Sequence, residues 1–217
     1  MSAAPQSRPW LFVVAALAAI FVGLITARYV RQTLPAALPA IGGYVLPQPR
    51  DLPRVELIDG NGNRFTPADF VGHWSFLYFG YTYCPDVCPL ALIELASVKT
   101  LLAATEPTGA SAEYYLVSVD PARDTPERLR EYVAYFDASF HGLTGSQGDL
   151  RRLAEATGSV FLIPEGQSTD NYLVSHSSNL AVLDPAGRLF AVITPPHEPS
   201  GIVADFAAIV AYRATQR

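Results

Sequence analysis

Methionine is nearly missing from this 217-residue chain, which holds one, Met1. A copper site built on a long axial methionine, as in blue-copper proteins, is thereby excluded. Lysine is as scarce, with Lys99 alone, and 15 basic residues against 20 acidic ones leave a formal charge of -5. With no run of basic residues anywhere, the chain lacks the electrostatic footprint of a nucleic-acid partner. Cysteine occurs twice, at Cys84 and Cys88. Neither lies just after the N-terminal apolar run, so no lipoprotein anchor is expected.

What the chain has in plenty is apolar surface. Half of its residues are hydrophobic, enough for the core of one domain with an appendage. The appendage is residues 10–27, an uncharged run between Arg8 and the pair Arg28 and Arg31. As a helix it would be roughly 27 Å long, close to the roughly 30 Å hydrocarbon layer of a bilayer. A cleaved signal has an apolar region of only about 7 to 15 residues, ending at a small-x-small site. Here the run is longer and arginines follow directly, so an uncleaved transmembrane anchor is expected, with residues 1–9 before it. The flanking arginines do not fix its orientation. Residues 28–54, rich in proline, read as an extended linker, and the globular domain is expected over 55–217.

Within that domain, residues 55–59 and Arg64–Phe65 around Gly60-Asn61-Gly62 predict a hairpin. The run WSFLYFGYT (74–82) is too continuously apolar for a strand with one wet face, so it should be central and covered on both sides. Helical spacing follows over 89–104, and 112–120 is a second buried strand. Thr125 with Pro126 opens a helix, Ser146 and Asp149 form a capping box for a helix over 147–157, and a strand follows at 160–163. Strands at 180–183 and 189–193 flank the turn Asp184-Pro185-Ala186-Gly187, and a last helix covers about 200–215. This pattern is α/β with a mixed sheet flanked by helices.

The chemistry gathers in FGYTYCPDVCPL (79–90), where Cys84 and Cys88 fall between the end of the central strand and the start of a helix. That is a thioredoxin-like placement, at the strand ends where open α/β sheets carry their sites. A disulfide closing so small a loop would contribute only roughly 2 kcal/mol, against about 4.7 for a hundred-residue loop. Stability is thus a weak reason for the spacing. A helix N-terminus favours thiolate, the species that both exchanges disulfides and binds soft metals. Of the four histidines, His73, His141 and His197 read as exposed. His176 stands out by its position before the strand at 180, although spacing alone leaves it open between a structural role and a ligand. Two thiolates and one imidazole would suit Cu(I) and tolerate Cu(II); a structural zinc site wants a fourth protein ligand, and none is evident. The binuclear copper centre of cytochrome oxidase also uses cysteines three residues apart, but Leu92 and Leu95 stand where it needs histidine and methionine.

Taken together, YFGYTYCPDVCP (78–89), VSVDPARDTPERL (117–129), GLTG (142–145) and YLVSHSSNLAVLDPAGRL (172–189) resemble the Sco/SenC copper-binding proteins over about residues 44–215. The resemblance implies a thioredoxin-like domain held by a single-pass anchor on the extracytoplasmic side of the cytoplasmic membrane. It further implies that Cys84, Cys88 and His176 bind one copper ion, Cu(I) or Cu(II). The implied partner is the copper-bearing subunit of cytochrome c oxidase during assembly, with other copper chaperones or thioredoxin-like reductants as further partners. The role would be copper delivery, or alternatively thiol-disulfide reduction of the target's copper-site cysteines without carried metal. Asp86, between the cysteines, matches the motif and could tune the thiolates, or simply serve as a turn residue. Ser175 stands where the family often has an acid. Asp120, Arg123 and Asp124 read as turn and cap residues.

Overall fold

The computed structural model describes residues 9–33, 37–104, 112–164 and 172–216. The chain divides into two units, Met1–Ala37 and Leu38–Arg217. In the first, α1 runs over Pro9–Thr33, containing the expected anchor and continuing past Arg28. Its apolar side chains, Leu17, Phe21 and Leu24 among them, are exposed. Residues 1–8, expected to precede the anchor, lie outside the described residues, as do 34–36 of the expected linker.

The second unit runs β1 (Gly43–Arg50), β2 (Leu57–Asp59), β3 (Arg64–Phe65), β4 (Trp74–Gly80), α2 (Val87–Ala104), β5 (Ala112–Ser118), α3 (Pro126–Phe136), β6 (His141–Gly145), α4 (Gln147–Ala156), β7 (Phe161–Leu162), β8 (Ser175–His176), β9 (Leu180–Leu183), β10 (Leu189–Ile193) and α5 (Pro199–Ala214). Eight strands form one sheet in the order β1-β10-β9-β4-β5-β6-β2-β3. β4 pairs parallel with β5 and antiparallel with β9, so the sheet is mixed as expected. Every residue of β4 is buried, which is why its sequence shows no polar alternation. By length and composition, the helix among the described residues that could cross a membrane is α2, while the apolar stretch of α1, Val13–Thr26, is shorter. In the fold α2 is instead a core helix, burying Cys88, Ala91, Leu92, Leu95 and Val98 and packing against α5 and α3.

Two expectations change, and one strand appears where none was expected. The linker expected over 28–54 gives way at Gly43, where β1 joins the sheet edge antiparallel to β10 with Val45 and Leu46 buried. Pro47 and Pro49 are tolerated because an edge strand has a partner on one side only, and the pairing shifts register between Val45 and Arg50. A Cβ on Gly43 would stand 2.0 Å from the Val192 carbonyl oxygen, so the close approach needs glycine. Next, the GLTG segment is itself a strand, β6, parallel to β5; Gly142 lets α3 come near, since a Cβ there would lie 2.7 Å from the Leu129 Cβ. Finally, the strand expected at 160–163 does not join the main sheet. It forms a separate ribbon with β8, Phe161 opposite His176.

The turn after β9 is fixed by Asp184, which is buried. Its carboxylate accepts from the Ala186 and Arg188 amides, from Arg188 Nη2 at 2.7 Å and from Arg213 Nε at 3.2 Å. Burial raises the pKa of this carboxyl, but the bonds from Arg188 and Arg213 together outweigh it and hold the group below the ordinary aspartate value. A depressed folded pKa contributes stability above the unfolded value, and that contribution disappears as pH falls through the folded one. Denaturant titrations of wild type and Asp184→Asn should therefore differ most above about pH 4 and converge at lower pH. A stability gap that stayed constant with pH would contradict this account.

Candidate metal centre

The site is assembled from three pieces of chain. β4 ends at Gly80 and the loop 81–86 leads into α2, with the Cys84 amide donating to the Tyr81 carbonyl. Cys88 lies in the first turn of α2 and is fully buried, while Cys84 is 9% exposed. Pro89 is accommodated in that first turn, where a missing amide hydrogen breaks no helical bond. A Cβ on Gly80 would come within 2.9 Å of the Cys88 sulfur, so that sulfur packs directly on bare backbone. The third piece is β8, whose pairing with β7 presents His176.

These pieces converge. His176 Nε2 lies 3.4 Å from Cys88 Sγ, and one donor atom each from Cys84, Cys88 and His176 lie within 4.8 Å of one another. His176 Nδ1 is 3.0 Å from the Ser177 carbonyl. A carbonyl only accepts, so Nδ1 carries the hydrogen and the Nε2 lone pair faces the sulfurs. Burial lowers the pKa of this imidazole, which favours the neutral, ligating form. Tyr78 and Tyr81 stand edge-on to its ring, at centroid distances of 6.0 and 5.9 Å.

The thiolate expectation does not hold for Cys88. Burial is the largest influence and pushes the Cys88 thiol well above its usual range, with the Tyr81 backbone amide pulling the other way. Desolvation of the charged form outweighs the helix terminus here. In this state Cys88 is a neutral thiol, able to donate to the His176 lone pair, and a metal would displace its proton.

Asp86 is exposed, its carbonyl accepts the Leu90 amide, and it is not part of the three-residue cluster. The other histidines lie outside the cluster as well. His73 contacts the Tyr115 hydroxyl at 3.1 Å, and His141 is exposed beside Glu113. His197, expected to be exposed, is 7% exposed, because the loop before α5 folds it inward to donate to the Ser178 carbonyl.

Asp120 and Asp124 are also more than turn residues. Both are buried. Thr125 does cap α3, accepting from the Arg128 amide. Asp124, however, accepts from the Thr82 amide at 3.2 Å, the Thr82 hydroxyl at 2.6 Å and the Ser118 hydroxyl at 2.7 Å. Asp120 takes the Tyr172 hydroxyl at 2.6 Å and Arg123 Nε at 2.5 Å. Sequence reasoning missed this network. The available signal was two carboxylates just past the end of a buried strand, where a charge needs partners.

The SCO1/SenC family model matches residues 50–211. A protein of Stutzerimonas stutzeri named for copper binding is 40% identical over 167 residues, which is 77% of this chain and 80% of that protein. The mitochondrial SCO1 homolog 1 of Arabidopsis thaliana is 37% identical over 129 residues, 59% of this chain but only 38% of that longer protein. Among solved structures, Arabidopsis thaliana ScoI with copper bound superposes with a TM-score of 0.66 at 30% identity, covering 76% of this chain and 98% of that one. The mixed sheet flanked by helices is the thioredoxin-like Sco architecture. This chain belongs to the SCO1/SenC family.

Proposed function

We infer that this protein is a membrane-anchored copper carrier that binds one copper ion through Cys84, Cys88 and His176 and delivers it to the copper-bearing subunit of cytochrome c oxidase during assembly. The observation that carries this reading is the meeting of the three donors within 4.8 Å, although His176 lies 88 residues from Cys88. Two sulfurs and one imidazole nitrogen fit copper, soft enough for Cu(I) and still acceptable to Cu(II). The copper-bound relative in the same fold adds support. Copper is cargo here. The chain's own part is to offer an unprotonated Nε2, to release the Cys88 proton, and to shelter the ligands under Tyr78 and Tyr81. α1 would act as the single-pass anchor, leaving the copper domain on the extracytoplasmic side.

A second reading rests on the free state of both cysteines and the closeness of their sulfurs. Such a pair can close to a disulfide and so reduce the copper-site cysteines of the oxidase subunit, being reset by a thioredoxin-like reductant. His176 separates the two. For the carrier, His176→Ala should weaken copper binding by more than about 100-fold, beyond the 10- to 100-fold typical of outer partners, while both thiols stay titratable. The check is competition against a chromophoric copper chelator, alongside complementation of an oxidase-assembly defect. Full complementation by His176→Ala would favour the reductase instead.

A further inference from the structure

The cysteine loop follows directly from the central strand β4, whereas His176 lies in a separate two-stranded ribbon, four residues before β9. Among the described residues β8 pairs with β7 alone, through Phe161 with His176 and Leu162 with Ser175. The ribbon is short, and beyond it the arm is tied to the 158–160 segment, the Ser177 amide donating to the Val160 carbonyl and Asn179 to the Gly158 carbonyl; neither tie reaches the cysteine loop.

Several of the contacts that join the arm to the cysteine loop involve one side chain, Arg123. The Arg123 guanidinium lies 3.6 Å from the centroid of the Tyr172 ring, and its Nη2 donates to the Tyr172 carbonyl at 3.0 Å. It also lies over Tyr83, the residue before Cys84, at 4.7 Å, and near Tyr81 at 5.8 Å. Asp120 anchors both sides, pairing with Arg123 and accepting the Tyr172 hydroxyl. The Arg123 side chain is 9% exposed. Two residues further along the arm, the Val174 amide donates to the Tyr81 hydroxyl at 3.2 Å. Arg123 is therefore wedged between an aromatic residue of the cysteine loop and one of the histidine arm.

We propose that Arg123 is the positioning residue that registers the His176 arm on the cysteine loop, so that the third donor reaches the two sulfurs. This rests on the carrier reading above. A flat guanidinium suits the task because it can stack on two rings while donating in its own plane to Asp120 and a carbonyl. Lysine would keep the charge beside Asp120 but lose the stacking.

The test uses the full-length, reduced protein in detergent, with Cu(I) as the probe. Arg123→Ala could disturb folding by leaving Asp120 unpaired, so Tyr172→Ala, which keeps the Arg123–Asp120 pair, is measured beside it. Both should weaken Cu(I) binding on the order of 10- to 100-fold, with Arg123→Lys in between. Without metal, both should also shift the NMR signals of the His176 ring, which sits between the edge-on rings of Tyr78 and Tyr81. Arg123 acts through His176, so the double variant Arg123→Ala/His176→Ala should bind copper no more weakly than His176→Ala alone. Additive losses in the double variant, or unchanged His176 signals in both single variants, would overturn the inference. Wild-type affinity in His176→Ala would instead overturn the carrier reading, whereas a loss there with none in Arg123→Ala would sink the positioning role alone.

Discussion

Cys88→Ser should give a folded protein that no longer takes up copper tightly. The substitution removes the buried member of the pair, the sulfur that lies 3.4 Å from His176 Nε2. Folding should survive, because a serine hydroxyl can donate to the same imidazole lone pair and the volume lost is small, at a cost of about 1 kcal/mol for a minor core truncation. Metal binding should not survive. A neutral hydroxyl is a hard, weak donor, and Cys84 with His176 alone leaves a soft ion two ligands. The expected loss is at least about a thousandfold, or ~4 kcal/mol at 1.4 kcal/mol per decade. A chelator competition titration on the reduced protein measures it, with thermal melts to establish folding. Near-normal affinity in a folded Cys88→Ser protein would mean that the sulfurs are not the donors. Burial of the Cys88 thiol bears on the same experiment, since uptake must expel its proton and apparent affinity should rise with pH.

How far the sequence announces all this depends on how local each signal is. Elements with their own pattern were legible: the unbroken apolar run of β4, the Thr125 cap of α3, the Ser146 cap of α4 that accepts from the Asp149 amide, and the hairpin around Gly62, whose φ is +83°. The cysteine pair was legible for the same reason, being close in sequence at a strand end. β1 was hidden because its prolines and glycines resemble those of a linker, and only the partner strand shows that the edge position tolerates them. β6 was hidden because its glycines serve the approach of α3 rather than a turn. His176 could be suspected but not joined to the cysteines by spacing, since its place depends on a two-pair ribbon and on Arg123, contacts between residues far apart in the chain. Family resemblance named the histidine, while the geometry explains how it arrives.

Asp124→Ala should be among the most destabilising single changes in the domain and should loosen the cysteine loop as well. The truncation would leave the Thr82 amide, the Thr82 hydroxyl and the Ser118 hydroxyl without their shared acceptor in a buried pocket. Each orphaned buried donor costs about 1–3 kcal/mol, and the bonds that Ser118 and Thr82 keep do not relieve them, because there the two hydroxyls accept, from the Asp120 amide and from Arg128 Nε. A total of at least about 3 kcal/mol is expected from three such donors. That is a large part of the roughly 5–15 kcal/mol that holds an ordinary domain. Burial is the largest influence on this carboxyl and raises its pKa above the ordinary value, with the bonds from Thr82 and Ser118 pulling it back. The folded state thus holds the Asp124 proton more tightly than the unfolded chain does. Its contribution is fullest below the unfolded value and declines as pH rises through the folded one, opposite in sign to Asp184. Urea denaturation of wild type and Asp124→Ala should accordingly show a deficit at neutral pH that widens towards about pH 4. Thr82 stands two residues before Cys84, so the variant's copper affinity, measured where it is still folded, should fall too. Stability lost with copper affinity unchanged would show that the Asp124 network supports the sheet end without setting the loop that carries the sulfurs.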